Sequence, residues 1–198
     1  MNIISKYGFF GAIIMAKNLL LTKLTLRNAR LIRFPVDLRG KKFISVDKGF
    51  TTGHGCRIEA YAEKNINSKT LIIGKNVQLN DYVHITAMYN VHIGDNVLIA
   101  SKVYISDTAH GEYQSSSPSS PFEFPAEREL VYDGVRIEDN VWLGDGVCVL
   151  PGVTIGFGSI IGANAVVNKD IPAMSIAVGI PAKVVKVFNS ELNIWEKR

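Results

Sequence analysis

From about residue 44 onward, aliphatic residues return every six positions. They fall at Ile73, Leu79 and Ile85, then at Ile93, Ile99 and Ile105, and again at Ile137, Leu143, Val149, Ile155, Ile161 and Val167. Four places after each marker stands a second inward-type residue: Val77, Val83, Val97, Val103, Val141, Val147, Val153, Ser159 and Ala165. Glycine follows the marker directly at Gly74, Gly94, Gly144, Gly156 and Gly162. A weaker echo at Ile44, Phe50 and Cys56 places the start of the clock earlier.

An α-helix drifts off a six-residue repeat, and plain strand alternation needs no glycine at one phase. One short strand plus one sharp turn fits. Glycine or asparagine takes the left-handed turn conformation, and the aliphatic marker points into a narrow interior. Three such units close a triangular coil of about eighteen residues, and stacked coils hydrogen-bond as parallel strands about 4.8 Å apart. The pattern therefore predicts an all-β solenoid around an aliphatic column. Cys56, placed at the marker phase, is expected as a packed core thiol rather than a nucleophile.

Two interruptions break the clock. Ile85 to Ile93 carries two extra residues, and Ile105 to Ile137 carries many more, most of them in 106–134. That insertion holds Ser115, Ser116, Ser117, Pro118, Ser119, Ser120, Pro121 and Pro125, which predicts a protruding loop. Insertions in repeat proteins collect on one face, often the binding face, and long loops in compact domains are usually functional or disordered.

Residues 1–34 follow a different rule. Phe9, Phe10, Ile13, Ile14, Leu20, Leu21 and Leu24 recur roughly at helical spacing, with Lys6, Lys17, Lys23, Arg27, Arg30 and Arg33 as a basic complement. Two readings stay open: a helix covering the end of the coil, or a basic amphipathic segment resting on an anionic membrane. The apolar run from Tyr7 to Ala16 is too short to span a bilayer. No small-residue cleavage site follows it, so the expected location is the cytoplasm or the inner face of its membrane.

Length and composition suit one domain: an N-terminal segment 1–34, the coil over 35–187 and a short tail 188–198. Hydrophobic residues make up 47% of the 198-residue chain and charged residues 20%, an ordinary soluble profile. A net charge of +4 suits an anionic cofactor, a polyanionic substrate or a membrane surface, but does not argue for nucleic acid. Cys56 and Cys148 lack the spacing of a metal knuckle or redox pair.

The hexapeptide repeats, Val141-Trp142-Leu143-Gly144 through Pro151-Gly152-Val153-Thr154-Ile155-Gly156, and the closing Lys169-Asp170-Ile171-Pro172 and Gly179-Ile180-Pro181-Ala182-Lys183 resemble the hexapeptide-repeat acyltransferases. Within that family the chain is most similar to bacterial O-antigen and capsular polysaccharide O-acetyltransferases. The similarity is carried by Lys6-Tyr7-Gly8, Leu21-Thr22-Lys23, Ile32-Arg33-Phe34-Pro35, Asn80-Asp81-Tyr82-Val83-His84-Ile85 and Ser106-Asp107-Thr108-Ala109-His110-Gly111. The resemblance implies a left-handed parallel β-helix that moves an acetyl group from acetyl-CoA to a sugar hydroxyl.

It also implies roles. A sugar hydroxyl is a poor nucleophile, so transfer needs a base near neutrality. The resemblance puts that role on His110, at the start of the loop. Asn80 matches an asparagine beside the active site, where it would bind the acceptor or polarise the thioester oxygen; equally, it is a turn residue. His84 stands where galactoside enzymes carry another residue type, which leaves a substrate contact or a rival base open. Tyr82 and Asp107, in the same motifs, are expected among the acceptor contacts. Trp142 would stack on sugar or pantetheine, or pack between subunits. Lys169, Lys183 and Lys186 would meet the CoA phosphates and adenine end, and Gly144, Gly162 and Ala163 would let the cofactor approach the backbone.

The family implies a homotrimer with sites between subunits and no resident metal. Two rival functions share the coil. A zinc carbonic anhydrase would need histidines such as His92 and His110, eighteen residues apart and hence stacked if the register holds, but the close histidine pair of that pattern is missing. N-acetylation of an amino-sugar nucleotide shares the fold with a differently placed histidine.

Overall fold

A computed structural model describes residues 3–62 and 68–198. The strands form three parallel sheets visited in the same order, turn after turn. Sheet 1 contains β2 (Ile44–Val46), β4 (Leu71–Ile73), β7 (Val91–Ile93), β12 (Val135–Ile137) and β15 (Thr154–Ile155). Sheet 2 contains β5 (Gln78–Leu79), β8 (Leu98–Ile99), β13 (Trp142–Leu143), β16 (Ile160–Ile161) and β18 (Ser175–Val178). Sheet 3 contains β1 (Asp37–Arg39), β3 (Arg57–Ala60), β6 (His84–Ala87), β9 (Tyr104–Ser106), β14 (Cys148–Val149) and β17 (Val166–Val167). A three-sided coil is therefore wound from short strands, one side per hexapeptide.

The markers stack in three inner columns. Val46, Ile73, Ile93, Ile137 and Ile155 align on sheet 1; Leu79, Ile99, Leu143, Ile161 and Ala177 on sheet 2; Ile58, Ile85, Ile105, Val149 and Val167 on sheet 3. All are buried. Burying aliphatic side chains on every coil supplies the driving force, at about 25 cal/mol per Å² removed from water.

The early echo shifts in phase. Val46 and Ile58 occupy the marker columns, and Thr51 bridges Gln78, which aligns Thr52 with Leu79. Phe50 and Cys56 therefore hold the second inward position, level with Val77 and Val83. Cys56 is a packed thiol as expected, two places from the phase assigned to it. The coil also starts earlier than residue 35, since Leu31 already bridges Thr51.

The glycines after the markers have a different cause from the expected one. Left-handed backbone falls on Asn76, Asn96, Asn140 and Gly158 at one corner and on Tyr82, Lys102, Gly146 and Asn164 at another. The marker-following glycines instead make room between coils. A Cβ at Gly94 would collide with the Asp139 carboxylate of the next coil, which accepts a 2.7 Å hydrogen bond from the Asp95 N–H.

Both ends of the coil are covered. At the start lies α1 (Ile3–Thr25), kinked at Gly8. Its Thr22 hydroxyl accepts the Ile32 N–H at 2.8 Å, and Asn18, Thr22 and Leu26 are buried. The helix is longer than the apolar run Tyr7–Ala16, and Tyr7–Thr25 is apolar and long enough to cross a membrane by length and composition. At the other end, β19 (Lys183–Asn189) runs antiparallel to β18 and pairs with β20 (Ile194–Lys197), so the tail forms an antiparallel extension of sheet 2.

Candidate active site

The insertion leaves the coil as a hairpin. β10 (Thr108–His110) pairs antiparallel with β11 (Leu130–Tyr132), matching Ala109 with Val131 and His110 with Leu130. A cleft of about 520 Å³ opens between this arm and the coil corner, lined by Ala109, Gly111, Glu112, Tyr113, Gln114, Val131, Tyr132, Asp133, Leu150, Pro151 and Asn168. His110 lies between two lining residues of this cleft without lining it itself. It is exposed.

The backbone at His110 is braced. The Tyr113 hydroxyl donates to the His110 carbonyl at 2.9 Å and accepts from Arg128 Nη1 at 2.9 Å. Gly111, at φ 91°, leaves space that a Cβ would contest with the Tyr113 hydroxyl and Ser119. Sequence reading missed Tyr113 and Arg128. Their spacing follows no repeat, and only the folded hairpin brings them to His110.

Asp107, expected among the acceptor contacts, has its carboxylate engaged by backbone. It is fully buried, and its carboxylate accepts the N–H groups of Met88, Tyr89 and Asn90 at 2.7–2.8 Å. Those three donors belong to the turn that carries the two extra residues between Ile85 and Ile93. An acidic side chain at the root of the hairpin thus satisfies the donors of a turn with no ladder partner of its own.

The other expected residues divide between two sides of the coil. His84 lies on the outer face of sheet 3, between Arg57 and Tyr104, with its ring edge-on to Tyr104 at 5.2 Å. Its Nε2 is 2.9 Å from Glu59 Oε1. Glu59, also missed from the sequence, accepts further hydrogen bonds from Arg57, Tyr61 and Thr86. Burial pushes the Glu59 carboxyl up, but the bonds from His84, Arg57, Tyr61 and Thr86 outweigh it and hold it at about 2. Trp142 stands on the outer face of sheet 2 between Leu98 and Ile160, half exposed. Lys186 borders the same sheet, opposite Ile176, and Lys183 opposite Val178.

Asn80, Tyr82, Gly144, Gly162 and Ala163 share the corner between sheets 2 and 3. Asn80 accepts from the Gln78 amide at 3.0 Å, and Tyr82 is a left-handed turn residue whose ring meets His54. Gly144 is pressed by its own fold, since a Cβ would lie 2.7 Å from the Ala163 nitrogen and 3.0 Å from the Ile161 oxygen. Gly162 is similarly crowded by Val178. Ala163 and Lys169 are exposed. Asn80 enters the sheet 3 side of the coil and His110 leaves it, and no hydrogen bond joins them among the described residues.

The zinc geometry fails. His92 lies on sheet 1 between Ile72 and Arg136, whereas His110 has left the coil with β10, so the two do not stack. Burial, then the Arg136 charge, holds the His92 imidazole below its ordinary value. Among the described residues, no group of three His, Cys, Asp or Glu side chains could hold a metal.

The profile of the family described as "Bacterial transferase hexapeptide (six repeats)" matches residues 134–169, the uninterrupted part of the coil. Over all of its 198 residues the chain is 42% identical to the "Putative lipopolysaccharide biosynthesis O-acetyl transferase WbbJ" of Escherichia coli K12, and it covers 98% of that protein. The chain belongs to the hexapeptide-repeat O-acetyltransferases. A galactoside acetyltransferase solved in complex with coenzyme A is 35% identical, with a TM-score of 0.53 over 72% of this chain and 67% of that one. A variant of AntD, an N-acyltransferase from Bacillus cereus solved with dTDP-4-amino-4,6-dideoxyglucose and coenzyme A, reaches a TM-score of 0.69 over 87% of this chain and 90% of that one. At 18% identity that likeness concerns the fold alone.

Proposed function

We propose that the protein transfers an acetyl group from acetyl-CoA to a sugar hydroxyl of a bacterial surface polysaccharide, either an O-antigen, a capsule or a lipid-linked precursor, in the cytoplasm. The observation that carries this reading is the braced, exposed His110 on an arm projecting from a coil with full-length similarity to a lipopolysaccharide O-acetyltransferase. His110 takes the proton as the acceptor oxygen attacks the thioester carbonyl, and returns it to the sulfur as the C–S bond breaks. Asn80 supplies an amide toward the oxyanion or the acceptor.

The coil is read as left-handed, and the working unit as a homotrimer. Within one chain, the arm and His84 lie on the sheet 3 side while Trp142, Lys183 and Lys186 border sheet 2. A neighbouring copy would bring these two sides face to face, with acceptor groups from one and cofactor groups from the other. Trp142, Gly162, Ala163, Lys183 and Lys186 form the cofactor side of that reading, with Lys169 reaching in from beyond β17, while the crowding of Gly144 by Ala163 and Ile161 assigns that glycine to coil packing.

The test is incubation of the purified protein with acetyl-CoA and a panel of sugars and surface oligosaccharides, beside His110→Ala, with products read by mass spectrometry. O-acetylated product from the wild type alone supports the reading. An active His110→Ala would move the base to His84, and N-acetylated amino sugar as the product would replace the acceptor class.

A further inference from the structure

The helix α1 is apolar on more than the side it turns to the coil, with Ala12, Met15 and Leu21 half-buried. Its buried side chains include Asn18 and Thr22, whereas Phe9, Phe10, Ile13, Ile14, Leu20 and Leu24 are 52–79% exposed. A covering helix turns its apolar stripe inward and its polar face to water. Here the outward face is apolar except for Lys17, the kind of surface that marks an interaction site.

Charge sorts the same way. The first 36 residues contain no Asp or Glu but hold Lys6, Lys17, Lys23, Arg27, Arg30 and Arg33. The whole chain carries 22 basic and 18 acidic residues, so everything after this segment is mildly acidic. Lys17 is exposed within the apolar face, one turn after Ile13 and Ile14, and Lys23, Arg27 and Arg30 are exposed in and after the last turn of the helix. A second copy meeting it through the same face would set these cations against one another, and the proposed trimer joins the sheet 2 and sheet 3 sides of the coil rather than the end that α1 covers. An anionic lipid surface offers both an apolar layer and the opposite charge.

We propose that α1 docks the protein on an anionic membrane surface, lying in the headgroup layer with Phe9, Phe10, Ile13 and Leu20 inserted. Lys17 reaches back to the headgroups along its aliphatic stem. The helix lies on the bilayer and does not cross it. Thr22 is fastened to the coil through the Ile32 N–H, and the Tyr7 hydroxyl accepts a 3.3 Å hydrogen bond from Arg33, so the helix is laid across the end of the coil. Docking of this kind is independent of acetyl transfer and needs no acetyl-CoA.

Flotation of the full chain with vesicles tests it, using phosphatidylethanolamine–phosphatidylglycerol against pure phosphatidylcholine. The wild type is expected to float with the anionic vesicles and to be released by high salt. Phe10→Glu with Ile13→Glu should reduce binding at least about tenfold, with thermal melting unchanged because both side chains are exposed. Lys17→Gln with Arg27→Gln should weaken it about 30-fold. Wild type that floats with neither vesicle, or variants that float as the wild type does, would overturn the proposal. So would a Phe10→Glu, Ile13→Glu protein whose mass in solution falls while its flotation stays the same, which would assign the face to a second copy.

Discussion

Glu59 Oε1 sits 2.9 Å from His84 Nε2 and 3.1 Å from the Thr86 hydroxyl, on the outer face of sheet 3. The Glu59 side chain points away from the aliphatic column, yet it is only 6% exposed, because arginines, a tyrosine and the imidazole close over it. The carboxyl is held at about 2, down from 4.5, so its contribution to stability is complete above pH 4.5 and fades as the pH falls toward 2. At ~1.4 kcal/mol per unit, that contribution reaches about 3 kcal/mol. Glu59→Gln should therefore lower the urea midpoint at neutral pH and flatten its acid dependence between pH 4.5 and 2. A variant that keeps the wild-type acid limb would show that the network does not hold the charge.

Asp107 and His110 are three residues apart and should fail in different ways. Removing the Asp107 carboxylate strands three part-buried N–H groups in the turn at Met88 to Asn90. A hydrogen bond to a charged group contributes ~1.5–3 kcal/mol, so Asp107→Ala should destabilise by about 3 kcal/mol or more. Activity should be lost only as the fold is lost. His110→Ala should leave melting unchanged while transfer disappears. Equal melting temperatures for Asp107→Ala and the wild type would restore Asp107 to the acceptor site.

The period of the aliphatic markers was enough to read the coil, because Ile73, Leu79 and Ile85 each occupy a separate side and repeat on the coils above. Where the repeat is degenerate the reading slipped. Ile44, Phe50 and Cys56 are themselves apolar and six apart, so they masked the true markers, one of which is Thr52. The broken clock located the root of the arm, whereas the role of His110 rests on its motif alone. Glu59 was not. It sits at an outward strand position that ordinarily faces water, and its partners Arg57, His84 and Tyr61 come from two strands and a turn. The helix was read from its spacing, but which face it buries depends on Thr22 meeting Ile32, and no periodicity contains that contact.

Gly144 separates a structural from a cofactor role. If its bare backbone serves coil packing, Gly144→Ala forces a methyl against the Ala163 nitrogen at 2.7 Å. Backbone cannot yield as a flexible side chain does, so a loss of about 1–3 kcal/mol is expected. The KM for acetyl-CoA should stay near the wild-type value at temperatures where the variant is folded. Unchanged melting with a raised KM for acetyl-CoA alone would return Gly144 to the cofactor surface.

The Tyr113 hydroxyl should control the placement of His110 without touching the acceptor. It bridges the His110 carbonyl and the Arg128 guanidinium, at 2.9 Å to each, and Gly111 is shaped to let it in. Tyr113→Phe keeps the ring and removes only these two bonds, ~1 kcal/mol for the neutral one and at most ~1.5–3 kcal/mol for the one to the guanidinium, less where solvent reaches them. Because the arm is exposed, global melting should move little. The histidine it carries, however, would sample positions away from the acceptor, and catalysis is steep in such displacements. A fall in kcat of about tenfold, with KM for acetyl-CoA unchanged, is therefore expected from steady-state kinetics. Arg128→Gln, which removes the fork but leaves the tyrosine able to donate to the carbonyl, should fall between Tyr113→Phe and the wild type. If Tyr113→Phe keeps full kcat, the brace is incidental, and His110 is held by the β10–β11 pairing alone.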